Sequence, residues 1–455
     1  MLRLHDTATG QVRPLAQRDP GEVSIYVCGP TVYDLPHVGH GRSVLTYDIL
    51  RRYLEWSGVR VRHVSNVTDI DDNIIERARK LGEDPAGLAR RFEDEWWAAV
   101  DRLGALRPTE APRATAFVER MIEVIRELFE RGAAYTTSDG VYLSVEAVEG
   151  YGLLAQQDLR QMRSGDRVDE SRREEKRSPL DFVLWKQAKP DEPSWPSPWG
   201  DGRPGWHTEC VAMSLDLLGD GFDLHTGGLD LKFPHHENER AHAVALGRRF
   251  ACHWMHHAFV VDQSGEKMSK SLGNFTSLTD LLERVDHRAY RLLLLQAHYR
   301  SPVLVGTGSI TAAEASLRTL DGLARRALET GLDPGAPLDR AAMEPWVAAM
   351  EDDLNTVKAM ALVFDWVREA NAAIDAGQAE EATRLSRLVS EATGAVGLDL
   401  VGTAEEVDPV SLDLAARRDA AREARDWDAA DRLREELVSR GWTVEDTPQG
   451  TRLRR

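Results

Sequence analysis

Two short clusters of histidine, lysine and glycine carry the residues best suited to chemistry. Pro36-His37-Val38-Gly39-His40 stands directly before a helical pattern, and Lys267-Met268-Ser269-Lys270-Ser271 lies between Ser264-Gly265 and Leu272-Gly273. Imidazole and ammonium groups donate to anionic phosphate oxygens, and a helix N-terminus adds unpaired N–H groups of its own. The first cluster follows the apolar run Val23-Ser24-Ile25-Tyr26-Val27. Its loop is thereby placed at the carboxyl end of a strand, where open α/β sheets hold their ligands. The second cluster uses lysine in a chain that prefers arginine: eight of the 57 Lys and Arg residues are Lys, and two of them lie three positions apart here. Either motif alone is commonly a turn or a solvated loop; the ordered pair reads as a site for ATP. When a carboxylate attacks the α-phosphate, negative charge grows on the phosphoryl oxygens and the departing pyrophosphate. Fixed donors aimed there lower the barrier by on the order of several kcal/mol. On this reading His37, His40 and Lys270 are electrostatic clamps, and Lys267 helps to close the loop.

A second constellation is scattered along the chain. Cys28 ends the first strand, Cys210 lies in a segment opened by Trp206-His207, and His235-His236-Glu237-Asn238-Glu239 begins a helix at Pro234. Two strand-to-helix junctions of one parallel sheet converge on the same edge, and on a helix His235 and Glu239 share a face. Two thiolates, one imidazole and one carboxylate suit a tetrahedral zinc ion. The competing reading makes Cys28 and Cys210 small buried hydrophobes and the His/Glu run a charged helix start, since no Cys-x-x-Cys is present. Cys252 has no counterpart in this set and reads as a buried structural thiol, and His236, His256 and His257 read as packed and satisfied.

The elements that must position these residues alternate at first as strand, helix, strand, helix. A buried strand at 25–27, a helix over 41–57 (Val44, Tyr47, Ile49, Leu50, Tyr53, Leu54) and a strand over 60–66 predict a parallel sheet with helices on both faces. A helix over 115–131 follows, then a hairpin over 135–144 and a charged, apolar-poor stretch over 163–179 that reads as an insertion splitting the nucleotide-binding domain. The α/β pattern resumes with a helix over 208–218, a strand over 222–226, a helix over 235–246 and a strand over 254–261 leading to the lysines. Beyond 307 the chain reads as about four amphipathic helical stretches, closed by a hairpin over 441–451. The expected fold class is a Rossmann-type parallel-sheet domain split by an insertion, followed by an all-α region and a small tip. The corresponding segments are 1–127, 128–200, 201–262, 263–306, 307–400 and 401–455.

Composition narrows the class. A chain of 455 residues allows two to four domains. No apolar run approaches the roughly 18 residues of a membrane span, and the first residues lack a signal pattern, so no membrane is expected and a cytoplasmic location is. Three cysteines fit reduced thiols. The net charge of −18 works against a wholly basic nucleic-acid surface. The stretch 417–455 is nearly balanced, so any such binding is expected to be local and salt-sensitive.

The ordered pair of clusters resembles the signature of class I aminoacyl-tRNA synthetases. Further segments narrow that resemblance: Tyr26-Val27-Cys28-Gly29-Pro30-Thr31-Val32-Tyr33-Asp34, Asn66-Val67-Thr68-Asp69-Ile70-Asp71-Asp72, Pro193 to Gly200, Arg203-Pro204-Gly205-Trp206-His207, 233–239, 267–274, Asp426-Trp427 and 445–451. They are similar to the cysteinyl-tRNA synthetase family over nearly the whole chain. The resemblance implies a zinc ion on Cys28, Cys210, His235 and Glu239 that binds the substrate thiolate, with Mg2+ accompanying ATP. It makes Trp206 a candidate wall for the substrate side chain and Gly29, Thr31, Gly39, Thr68, Gly228 and Asp230 candidate contacts for amino acid or nucleotide. Read without the family, Trp206 is core, Thr68 caps the helix entered at 69–72, and Asp230 caps a turn. It further places Arg422, Trp427, Asp431 and Asp446 at a tRNA anticodon, against the plainer reading of a helical hairpin with Trp427 as its hydrophobic anchor. The implied partners are ATP, L-cysteine and tRNA(Cys), with the chain acting as a monomer. A cysteine ligase for an amino-sugar acceptor and a non-catalytic RNA-binding paralogue are the rival readings.

Overall fold

The structure, a computed structural model, describes residues 1–155, 175–261, 277–402, 408–447 and 450–454. It divides into two compact units, Met1–Leu320 with Leu332–Leu400, and Asp321–Gly331 with Val401–Arg455.

The first unit opens with an antiparallel hairpin, β1 (Arg3–Asp6) and β2 (Gln11–Pro14), which the alternation of the sequence does not announce. The expected strand–helix–strand then follows as β3 (Glu22–Val27), α1 (Val38–Trp56) and β4 (Arg60–Ser65). Next come α2 (Asp72–Leu81), α3 (Pro85–Arg102) and α4 (Val118–Glu130). Asp71, not Thr68, is the N-cap of α2, its side chain accepting from the Asn73 N–H. The hairpin expected over 135–144 is β5 (Ala134–Thr137) with β6 (Gly140–Leu143). It is widened by β7 (Phe182–Gln187) and β8 (Gly202–Pro204) into a four-stranded antiparallel sheet in the order β5-β6-β7-β8. Most of the charged stretch 163–179 lies outside the described residues.

The chain returns to the parallel sheet through α5 (Trp206–Leu217), β9 (Leu224–Gly228), α6 (Glu237–Ala245) and β10 (His253–His257). The sheet order is β10-β9-β3-β4, every pairing parallel, so β3 and β9 are neighbours and their carboxyl ends face the same way. The helix α1 is locked onto this sheet by the buried Tyr47 hydroxyl, which donates to Gly227 O at 2.7 Å. The single strand expected over 254–261 is two. β10 stays in the main sheet, whereas β11 (Val260–Val261) turns away to pair with β12 (Val303–Leu304). Between them lie α7 (Leu278–Arg284) and α8 (His287–Leu295).

The helical stretch beyond 307 contains six helices among the described residues instead of about four: α9 (Thr307–Glu329), α10 (Arg340–Glu351), α11 (Thr356–Asp375), α12 (Ala379–Gly394), α13 (Pro409–Glu423) and α14 (Trp427–Ser439). The breaks are short and barely interrupt the apolar periodicity. Left-handed residues stand in them, including Gly331 (φ 70°), Asp353 (φ 60°) with Leu354 (φ 50°), Gly377 (φ 68°) and Arg425 (φ 58°). In the second unit the closing hairpin is β13 (Thr443–Thr447) with β14 (Gly450–Arg454), as expected. Its core is Leu414, Leu437 and Trp442. Trp442 Nε1 donates to Ser411 Oγ at 2.8 Å.

Candidate active site

Two junctions at the carboxyl edge of the parallel sheet, after β3 and after β9, and the helix α5 bring the candidate ligands together. β3 ends at Val27, so Cys28 opens the loop, its N–H donating to Thr226 O of β9 at 3.3 Å. Gly29 follows where the backbone leaves no room, since a Cβ there would lie 1.7 Å from the Asn66 carbonyl oxygen. Its N–H donates to Asn66 Oδ1 at 2.9 Å. Cys210 projects from the buried helix α5. A wide turn, Lys232–His236, joins β9 to α6, so that His235 precedes the helix and Glu239 lies in its first turn.

Cys28 Sγ is 3.7 Å from Cys210 Sγ and 3.4 Å from Glu239 Oε1. His235 Nε2 is 3.7 Å from Cys210 Sγ and 2.7 Å from Glu239 Oε1. All four ligand atoms lie within 4.8 Å of one another. A tetrahedral cation with bonds of about 2.3 Å needs ligand atoms about 3.8 Å apart, so the sulfur pair already has the spacing required. Small buried hydrophobes have no reason to converge on a carboxylate and an imidazole; the cluster is one that could hold a metal ion.

Electrostatics in this corner follow from desolvation and mutual pairing. Burial lifts the Glu239 carboxyl, but His235 and His225 outweigh it and hold the group well below the usual carboxylate range. Burial depresses the His235 imidazole, yet Glu239 and Cys210 push it up to about 10. The hydrogen bond from Cys28 takes the Cys210 thiol down to about 6 against burial, while burial, then Cys210 and Glu239, lift Cys28 well above the usual thiol range.

Two further histidines support the ligands and were not singled out from the sequence. His225, on β9 and fully buried, bonds Glu239 through Nε2 and Oε2. His207 Nδ1 lies 2.9 Å from His235 Nδ1, and the Trp206 ring stacks on His235 with centroids 3.9 Å apart. Such outer partners orient metal ligands. The available signal was a histidine two positions before Gly227-Gly228 in a segment that reads as a buried strand, Phe222 to Thr226. Cys28, Glu239, His225 and His236 form a second set that could hold a metal ion. His236 Nδ1 is 2.8 Å from His256 Nε2, but its buried Nε2 has no hydrogen-bond partner among the described residues, so the expectation of a fully satisfied histidine fails there. Cys252 is half-buried, its Sγ donating to Gly221 O at 3.3 Å.

A cavity of about 920 Å³ adjoins the metal corner, its wall including Cys28, Gly29, Thr31, Trp206, Gly228 and Asp230. His37, Gly39 and His40 line it as well. The two histidines form a reciprocal cap on α1: His37 Nδ1 accepts from the His40 N–H at 3.2 Å, and His40 Nδ1 accepts from the His37 N–H at 3.1 Å. Their rings stack at 3.7 Å. With both Nδ1 atoms accepting, each neutral ring carries its proton on Nε2, the tautomer that donates to an anion. Thr68 is the exception among the expected wall residues. It stands behind the wall at 1% exposure, its hydroxyl donating to Glu209 Oε2 at 2.9 Å. Lys267 and Lys270 lie outside the described residues.

In the second unit the anticodon candidates separate. Asp446 is ion-paired with Arg422 and with Arg418, the latter at 2.8 Å. Asp431 is exposed. Trp427, the first residue of α14, is 59% exposed and is therefore no hydrophobic anchor; Trp442, 2% exposed, fills that role.

Residues 14–314 match the catalytic domain of class I (C) tRNA synthetases, and residues 345–401 match the DALR domain. The parallel sheet with its ligand-bearing carboxyl edge accords with that class. The Mycobacterium tuberculosis methionyl-tRNA synthetase in complex with methionyl-adenylate shares the fold, with a TM-score of 0.60 at 18% identity, over 82% of this chain and 89% of that one. The chain is 45% identical over 466 residues to the cysteine–tRNA ligase of Halorhodospira halophila, with 100% of both covered. It is 42% identical over 460 residues to that of Thermotoga maritima, with 99% of both covered. The chain belongs to the cysteine–tRNA ligase family. No helix among the described residues is long and apolar enough to cross a membrane.

Proposed function

We propose that this chain activates L-cysteine with ATP to cysteinyl-adenylate and transfers the cysteinyl group to the 3′ end of tRNA(Cys). The observation that carries the reading is the convergence of Cys28, Cys210, His235 and Glu239 beside a cavity whose wall also holds His37 and His40. Those four residues would hold a zinc ion, which when bound supplies a Lewis acid that prefers a thiolate to a neutral hydroxyl. Serine and cysteine are near-isosteres that an apolar pocket separates by only about 10 to 200-fold. A sulfur-selecting corner therefore answers the discrimination this substrate demands.

The chain's own groups do the rest. His225 holds the far oxygen of Glu239, and His207 and Trp206 hold the ring of His235. His37 and His40 donate from Nε2 to the phosphates of ATP, with Lys267 and Lys270 of the second signature completing the clamp as charge develops. Gly29, Thr31, Gly39, Gly228 and Asp230 shape the seat of the amino acid and nucleotide, and Thr68 acts from behind the wall through Glu209. In the second unit, exposed Trp427 stacks an unpaired base, with Arg422, Asp431 and Asp446 reading edges of the anticodon. The division into segments at 127, 200, 262, 306 and 400, Mg2+ accompanying ATP, action as a monomer and a cytoplasmic location belong to the same proposal and rest on the reading of the sequence.

The test is pyrophosphate exchange into ATP with cysteine, with serine and with no amino acid, followed by charging of transcript tRNA bearing a GCA anticodon. Exchange is expected with cysteine alone and charging with that tRNA. Equal exchange with serine, or transfer to an amino sugar in place of tRNA, would overturn the reading.

A further inference from the structure

Arg42 follows the histidine signature on α1 and is 2% exposed, yet no ion pair among the described residues includes it. The partners its guanidinium has are main-chain carbonyls. Nη1 donates to Phe259 O at 2.6 Å, and Nη2 donates to Tyr299 O at 3.0 Å and to Ser301 O at 2.6 Å. Burial lowers its pKa to about 10, so it stays charged at neutral pH. A buried cation without a carboxylate is a costly way to fill space, and an apolar side chain of similar volume would avoid the desolvation. What only the planar, forked guanidinium can do is bind several carbonyls from separate segments at once.

Those carbonyls mark one joint. Phe259 O also accepts from the Val303 N–H at 3.1 Å, and Tyr299 O accepts from the Ala258 N–H at 2.9 Å. Arg42 thus clamps the start of the β11–β12 pair to α1. β11 is the strand from which the chain continues toward Lys267 and Lys270, and the chain is next described at Ser277. There it is tied to the same signature: Ser277 bridges His37, and the Leu278 N–H donates to Pro36 O at 2.9 Å. The exit and the return of the lysine-bearing segment are therefore both bonded to residues flanking His37 and His40, and Arg42 supplies the bond at the exit.

We propose that Arg42 is a positioning residue that fixes the strand leading to the lysine signature relative to His37 and His40, and so sets the geometry of phosphate activation without touching the reacting atoms. The inference rests on the activity proposed above. A displacement near 1 Å in such a site costs roughly a hundredfold in rate, while binding of the ground state is much less sensitive.

The test is cysteine-dependent pyrophosphate exchange by the full-length protein, with metal content and melting temperature recorded for wild type, Arg42→Lys, Arg42→Met and Arg42→Ala. The expected result for Arg42→Met is a kcat lower by about ten- to a hundredfold with KM for ATP and cysteine within about twofold. Arg42→Lys should lose less, and methylguanidinium should restore part of the Arg42→Ala activity. Unchanged kcat in Arg42→Met would overturn the proposal. So would a raised KM for ATP at unchanged kcat, which would make Arg42 a direct ligand contact. A fall in rate that follows lost metal or a lowered melting temperature in all three variants, with no rescue, would overturn it as well. Wild-type protein without cysteine-dependent exchange would instead sink the functional reading, and this inference with it.

Discussion

The metal corner and the carboxyl-terminal tip both gather charged and aromatic groups, and they do so under opposite solvent conditions. His235 and Glu239 are 1% and 0% exposed, whereas Arg422 and Asp446 are 33% and 51% exposed in side-chain terms. Charges taken out of water must be paired or bound to a metal, so the corner is assembled with His225, His207 and Asn66 already in place around its ligands. Charges left in water contribute about 0–1 kcal/mol per pair, so the tip cannot owe its stability to the Arg422–Asp446 contact. That stability comes from Trp442, Leu414 and Leu437, which frees Trp427 to remain exposed. A preassembled, dry corner suits a small ligand selected by coordination. An aromatic side chain kept in water suits a larger partner that covers it.

This contrast can be broken at several points. The largest effect is expected from Trp442→Ala, which empties the core of the tip and should destabilise it by about 3–5 kcal/mol. Hydrogen exchange should show the tip opening while metal content stays at the wild-type value; joint loss of both would refute their independence. Cys28→Ser should lower cysteine-dependent pyrophosphate exchange by about 10²–10³-fold, the scale of losing one preorganised electrostatic partner, and should release the metal. Full metal occupancy with full activity would remove this thiol from the site. His225→Ala leaves all four proposed ligands intact and should weaken metal affinity about 10–100-fold, measured by competition with a chelator. An unchanged affinity would reduce His225 to a packed core residue. Trp427→Ala should weaken binding of tRNA by about 1–3 kcal/mol, the contribution of one stacked base, with pyrophosphate exchange as the internal control. Normal charging by that variant would assign the tip's recognition to other residues.

Much of this was legible in the residue pattern because the signals are local. The buried strand before Cys28, the helix opened by His37 and His40, the hairpin over 135–144 and the terminal hairpin all follow from periodicity and turn chemistry, which depend on neighbours within a few positions. The four candidate metal ligands were legible by residue type, Cys28 by its place at a strand end and His235 with Glu239 by their spacing at a helix start. The turn at Asp353-Leu354 was not, because it uses non-glycine residues in a left-handed conformation and leaves the apolar period almost uninterrupted. The division of the run 254–261 between two sheets was hidden for a related reason: an apolar strand looks the same whichever partner it pairs with.

The sequence by itself determined the strand–helix–strand core around Cys28, the two signatures proposed to bind phosphate, and the four residues Cys28, Cys210, His235 and Glu239 as candidate metal ligands. Only the tertiary structure decided that His225 grips Glu239, that Thr68 stands behind the cavity wall, that Trp442 rather than Trp427 anchors the tip, and that Arg42 bonds three carbonyls. The reason is physical. Propensity and patterning are properties of contiguous residues, whereas a side chain's partners at this range are set by which elements the burial of apolar surface forces together.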